Sequence, residues 1–211
     1  MTNFDSIVFD LDGTLWDTTP ACAVAWNDVL AKHGIPYRHI TADDVQLVTG
    51  KPHDLCIRET FSDLSEEQIR LLIDDTAVED NAAITRLGGT IYEGVTEGLR
   101  RLKERYRLFI VSNCQSGYIE TFYAFSNLGE LFEDCECFGN TAESKDRNLA
   151  RVIQRNGLQR PIMVGDAAGD EAAARACRIP FAFVTYGFGT SLAPDFTYHS
   201  FPELTGALLA M

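Results

Sequence analysis

The run Ile7-Val8-Phe9-Asp10-Leu11-Asp12-Gly13-Thr14-Leu15-Trp16 constrains the fold more than any other stretch of the chain. Ile7, Val8 and Phe9 are apolar and β-prone, the composition of a strand buried on both faces. The run then meets two carboxylates, Asp10 and Asp12, which a strand interior does not tolerate. The strand is therefore expected to end at Asp10. In open α/β sheets, ligands sit in the crevice outside the carboxyl ends of the strands. An acid at that place faces a crevice rather than a core, which makes Asp10 the candidate nucleophile.

Further apolar runs repeat the arrangement. Arg107 to Val111 ends in Ser112-Asn113, Pro161 to Val164 ends in Gly165-Asp166, and Phe181 to Val184 leads into Thr185-Tyr186-Gly187-Phe188-Gly189. A short strand is also expected within Phe132 to Phe138. Between these runs lie helical patterns over Thr96 to Tyr106, Ser116 to Leu128, Ser144 to Asn156 and Asp170 to Cys177, with a terminal helix from Phe201. Strand alternating with helix predicts an α/β fold: a Rossmann-like parallel sheet with helices on both faces.

The alternation is interrupted once, directly after the first strand. Asp17-Thr18-Thr19-Pro20 opens a helix that Gly34 stops, and short helices are expected after Thr41 and near Asp54. Ser65-Glu66-Glu67-Gln68 has the form of a capping box and starts a longer helix towards Ile84 and Leu87. The expected organisation is a catalytic core over residues 1–16 and 84–211, with residues 17–83 inserted as an all-helical cap over the mouth of the sheet.

Charge and cysteine content narrow the function. A net charge of −13 argues against nucleic-acid or anionic-membrane binding, which needs a basic face. No apolar run approaches the ~20 residues of a membrane span. The start, Met1-Thr2-Asn3-Phe4-Asp5, lacks the basic and apolar regions of a secretion signal. Six cysteines without a C-x-x-C pair read as reduced thiols, so a cytoplasmic location is expected. Cys135-x-Cys137 has no nearby histidine to complete a zinc site. His33, His39, His53 and His199 read as structural or solvated, and oligomeric state is left open.

If the strands are parallel neighbours, Asp10, Asp12, Ser112, Asn113, Asp166 and Asp170 converge on one crevice, with Lys145 between the second and third motifs. Clustered carboxylates raise one another's pKa unless a cation intervenes. Mg²⁺, with its preference for hard oxygen ligands, is the simplest such cation. Mg²⁺ and Lys145 together make a local positive pocket, and Ser112 and Asn113 add neutral hydrogen-bonding groups. A phosphate dianion fits that set.

The four motifs in this order, D-x-D-G-T, S-N, Lys145 and G-D-x-x-x-D, resemble those of the haloacid dehalogenase superfamily. The helical insertion after the first motif is similar to the cap of the subgroup containing phosphoglycolate phosphatase and β-phosphoglucomutase. The resemblance implies that Asp10 is a covalent nucleophile and Asp12 a general acid/base. It implies that Asp10, Asp166 and the backbone carbonyl of Asp12 hold Mg²⁺, and that Ser112, Asn113 and Lys145 bind the phosphoryl group. Asp170 would orient Lys145 or bind a metal-bound water. Asp12 separates this chain from the dehalogenase branch, because an alkoxide leaving group needs a proton and a halide does not.

The expected activity is therefore that of a Mg²⁺-dependent phosphoric monoester hydrolase acting on a small phosphorylated metabolite, similar to phosphoglycolate phosphatase. A phosphomutase using the same Asp10, and a non-catalytic binding module on this fold, are the alternatives. Lys51 and Arg58, in and after the turn Gly50-Lys51-Pro52, are candidates to read the body of the substrate, and Trp16 to wall the pocket or pack beneath it.

Overall fold

The computed structural model describes residues 4–211; the first three residues of the expected segment 1–16 lie outside them. The central strand, β1 (Ser6–Phe9), lies between two parallel partners, β4 (Arg107–Ser112) and β6 (Pro161–Gly165). Outward on one side lies β5 (Phe132–Cys137), and on the other β7 (Phe181–Val184) followed by β8 (Phe196–Tyr198). The six-stranded sheet has the order β5-β4-β1-β6-β7-β8, with every pairing parallel.

The period of two along each strand sorts its side chains between two cores. Ile7, Phe9, Leu108, Ile110, Ile162 and Val164 enter one core; Val8, Phe109, Val111 and Met163 enter the other. The first core is closed by Leu99 and Leu102 of α5 (Val95–Lys103) and by Phe201 and Leu204 of α10 (Phe201–Leu209). Ile119 and Phe122 of α6 (Tyr118–Ser126) join the same core. The second is closed by Leu149 and Val152 of α8 (Lys145–Asn156) and by Ala173 and Ala174 of α9 (Ala168–Ala176). A four-residue helix, α7 (Phe138–Thr141), follows β5. Both faces of the sheet are therefore covered, as an all-parallel sheet requires.

The insertion consists of α1 (Thr19–Lys32), α2 (Ala42–Gln46), α3 (His53–Thr60) and α4 (Glu66–Leu87). Its boundaries are set by local chemistry. Asp17 Oδ1 accepts from the Thr19 N–H at 2.8 Å, with Pro20 in the first turn of α1. Ser65 and Gln68 form the reciprocal capping box of α4. This helix continues unbroken through the expected boundary at 83/84 to Leu87, and Gly88 ends it at φ 81.

Two features differ from the sequence expectation. The stretches around Trp16 and Gly88–Tyr92, where no strand was expected, form an antiparallel ribbon of β2 (Trp16–Asp17) and β3 (Thr90–Ile91). It joins the chain entering the insertion to the chain leaving it. The sixth strand, β8, was not expected. Both features are two or three residues long, too short for a periodic signal, and exist only because a distant partner completes their hydrogen bonds.

Candidate active site

Register brings the motifs together. Phe9 sits opposite Ile110 on one side and Val164 on the other, and the Asp10 N–H donates to the Val164 carbonyl at 2.8 Å. The carboxyl ends of β1, β4 and β6 thus lie at one edge of the sheet, and Asp10, Ser112 and Asp166 follow from them. Lys145 arrives from the first turn of α8, behind Ser144.

Lys145 Nζ donates to Asp10 Oδ1 at 2.5 Å and to Asp170 Oδ1 at 2.6 Å, and all three side chains are buried. Burial opposes the lysine charge, but the two carboxylates outweigh it and raise its pKa, so Lys145 is a cation. Burial and the charges of Asp170 and Asp166 push Asp10 upward against the pull of Lys145. Asp170 Oδ2 also accepts from the Ala167 N–H at 3.0 Å in the first turn of α9. Asp170 is thereby fixed as the second anchor of Lys145.

Asp166 is held by the loop after β7. Its Oδ2 accepts from the N–H groups of Phe188 at 2.8 Å and Gly189 at 3.2 Å, and its Oδ1 from the Thr14 hydroxyl at 3.2 Å. Burial and Asp170 nonetheless push it up to about 6. Gly187 is required by close approach: a Cβ there would lie 2.3 Å from the Gly13 carbonyl oxygen and 2.4 Å from Asp166 Cβ. Gly187 and Gly189 therefore shape the seat of Asp166.

Asp10, Asp166 and Asp170 each offer a carboxylate oxygen, all within 4.8 Å of one another. Three buried acids face one lysine; burial first, and then the neighbouring carboxylates, raise the pKa values of Asp10 and Asp166. Hard, closely spaced oxygens of this kind fit a small divalent cation such as Mg²⁺. Cys135 and Cys137 belong to no such cluster among the described residues, and all six cysteines are free.

Asp12 points elsewhere. Its Oδ1 accepts from the Tyr118 hydroxyl at 2.6 Å, with Thr18 Oγ1 3.3 Å away. Burial pushes its pKa up to about 6, and the two hydroxyls oppose the rise. Ser112 Oγ accepts from the Cys114 N–H at 3.2 Å. Asn113 Nδ2 donates to the Gly50 carbonyl at 2.8 Å, tying the strand end to the turn before α3, while its Oδ1 has no partner among the described residues.

Above these groups lies a cavity of about 550 Å³, counting the solvent at its mouth. Asp10, Asp12, Ser112 and Asn113 line it from the sheet, and Lys51, His53 and Asp80 from the helical insertion. Lys51 reaches the cavity but is ion-paired with Glu59. Arg58 is not brought to it: the guanidinium donates to both carboxylate oxygens of Glu66, at 2.8 and 3.0 Å, on the protein surface. Trp16 is fully buried and packs edge-on against Tyr118 and Phe122, so it is a packing residue rather than a pocket wall.

Tyr118 and Asp80 were not singled out by sequence reasoning. Asp80 sits on the buried stripe of α4 with Leu72, Thr76, Ala83 and Ile84. An acid on an apolar helical face was the available signal. Burial pushes its carboxyl up to about 8. His53, beside it, donates or accepts with Thr76 Oγ1 at 3.0 Å, and burial lowers its pKa to about 4, so the ring is neutral. Tyr118 carried no comparable signal, because its partner is 106 residues away.

The chain is 27% identical to the phosphoglycolate phosphatase of Caulobacter vibrioides, over 99% of this chain and 92% of that protein. It is also 27% identical to the phosphoglycolate phosphatase of Vibrio vulnificus, over 96% and 95%. Among solved structures, a haloacid dehalogenase-like hydrolase from Streptococcus pneumoniae superposes with a TM-score of 0.85 at 23% identity, covering 98% of this chain and 99% of the other. A predicted phosphoglycolate phosphatase from Haemophilus somnus gives 0.85 at 22% identity, with the same coverage. These two likenesses establish the fold. The sequence model of haloacid dehalogenase-like hydrolases matches residues 7–184, from the first strand to the end of β7, and the chain belongs to that family.

Proposed function

We propose that the protein is a Mg²⁺-dependent phosphatase that hydrolyses a small phosphorylated metabolite, of the phosphoglycolate type, through an aspartyl-phosphate on Asp10. The observation that carries this reading is Asp10 itself: a buried acid at the floor of a cavity, held at 2.5 Å by a lysine that a second acid anchors. The names of the curated relatives support the same reading.

Mg²⁺ would be held by Asp10 and Asp166 with the Asp12 backbone carbonyl, and when bound it supplies positive charge against the phosphoryl oxygens. Asp170 is engaged by Lys145 and the Ala167 N–H, which suits it to orienting the lysine. Lys145 opposes the rise in the Asp10 pKa that burial causes and faces the charge that accumulates in transfer. Ser112 and Asn113 position the phosphoryl group. A carboxylate oxygen of Asp10 attacks phosphorus, the ester P–O bond breaks, and Asp12 gives its proton to the departing alkoxide. Asp12 then takes a proton from water, the hydroxide attacks phosphorus, and the bond to Asp10 breaks to release inorganic phosphate.

The insertion, expected over residues 17–83 and taken here to the end of α4 at Leu87, acts as the cap that covers the site and meets the body of the substrate. The Asn113 to Gly50 hydrogen bond is the contact that favours this role. Lys51 remains a candidate for substrate recognition because it lines the cavity. The test is phosphate release from p-nitrophenyl phosphate and phosphoglycolate with and without EDTA. Release should vanish with EDTA and in Asp10→Asn; full activity of Asp10→Asn overturns the nucleophile.

A further inference from the structure

Asp12 has two oxygens, and the protein treats them differently. Oδ1 accepts from the Tyr118 hydroxyl at 2.6 Å, and Thr18 Oγ1 lies 3.3 Å from it. Oδ2 makes no hydrogen bond among the described residues, and Asp12 lines the cavity. Tyr118 and Thr18 also meet each other at 2.5 Å.

Proton counting orders this triad. Each hydroxyl has one proton to give. Ionised Asp12 has none, so the short contact to Oδ1 uses the tyrosine proton. The contact between the two hydroxyls must then use the threonine proton. The chain runs from Thr18 to Tyr118 to Asp12 Oδ1. When Asp12 is protonated, Oδ1 is still occupied as an acceptor, and the proton is left on Oδ2.

We propose that Tyr118 is the positioning residue of the acid/base carboxyl, fixing Asp12 so that Oδ2 alone carries the proton to and from the reacting oxygen. The inference rests on the general acid/base reading of Asp12. Tyr118 is suited to the task because it is packed in place: it is 4% exposed, and its ring lies edge-on against Trp16 at 5.6 Å. The backbone before it is tied to the insertion. Gly117 turns the chain at φ 84, a conformation that favours glycine, and Asn81 of α4 donates to the Ser116 carbonyl at 3.1 Å. Thr18 immediately precedes α1, so the hydrogen-bonded chain begins at the entry to the insertion and ends on the proton donor.

A residue acting through the proton donor has a signature that a packing residue lacks. An alkyl alcohol cannot depart without a proton, whereas p-nitrophenolate can. The measurement is kcat/KM, which reports formation of the phosphoenzyme, for matched alkyl and p-nitrophenyl phosphates. It is made on wild type, Asp12→Asn, Tyr118→Phe, Thr18→Val and the double variant D12N/Y118F. Tyr118→Phe removes one oxygen and keeps the ring on Trp16. It should lower the alkyl-to-nitrophenyl ratio about tenfold, the low end of what a hydrogen bond to a charged group contributes. Thr18→Val should lower the same ratio by less and provides the reading if Tyr118→Phe does not fold. Adding Tyr118→Phe to Asp12→Asn should not lower the ratio further. An equal loss on both esters in Tyr118→Phe, or an additive double variant, overturns the proposal. An equal loss on both esters in Asp12→Asn instead overturns the acid/base reading itself, and the proposal with it.

Discussion

Asp80 offers a quantitative test of the cavity's interior. Asp80 is 3% exposed, and among the described residues neither its Oδ1 nor the indole Nε1 of Trp26 has a hydrogen-bond partner. Burial raises its pKa from 3.8 to about 8. A group with a raised folded pKa contributes stability that is full below its unfolded pKa and is lost as pH rises through the folded value. Between those limits folding takes up one proton, and stability falls by 1.36 kcal/mol per pH unit, about 2.7 kcal/mol between pH 5 and pH 7. Asp80→Asn keeps the shape and removes the titration. Urea unfolding of wild type and variant at several pH values across this window isolates the effect, because the other raised carboxyls, Asp10, Asp12 and Asp166, are common to both proteins. The stability difference between variant and wild type should grow in the variant's favour by about 2.7 kcal/mol over those two units. A difference that stays constant with pH refutes the buried, neutral Asp80.

Two further perturbations act on the floor of the site. Lys145→Met leaves the buried carboxylates of Asp10 and Asp170 without their shared cation, and should cost about 3–5 kcal/mol in chemical denaturation as well as phosphate release. Gly187→Ala places a methyl group 2.3 Å from the Gly13 carbonyl oxygen and 2.4 Å from Asp166 Cβ; thermal unfolding should show a loss of about 1–3 kcal/mol, and activity should need more Mg²⁺ because Asp166 is displaced.

What the sequence determined by itself is the part written in short-range patterns. The apolar run Ile7 to Phe9, halted by Asp10, already specifies a buried strand with an acid at its end. The Ser65–Gln68 capping box and the stop at Gly88 mark the long helix of the insertion, since a cap involves residues three apart. The motif residues Asp10, Ser112, Asp166 and Lys145 were legible for the same reason: each follows a strand or opens a helix whose period is visible locally.

Only the tertiary structure decided which of these groups touch. Lys145 and Asp10 are 135 residues apart and meet because α8 starts where β1 ends. Lys51 and Arg58, seven residues apart with the same charge, could not be told apart by sequence; packing put the first in the cavity wall and gave the second to Glu66 on the surface. Tyr118 reads as an ordinary aromatic at the head of a helix until the fold sets its hydroxyl against Asp12. Strand ends and caps are governed by neighbours along the chain, whereas hydrogen bonds between side chains depend on the register of strands and the docking of helices, which no local pattern encodes.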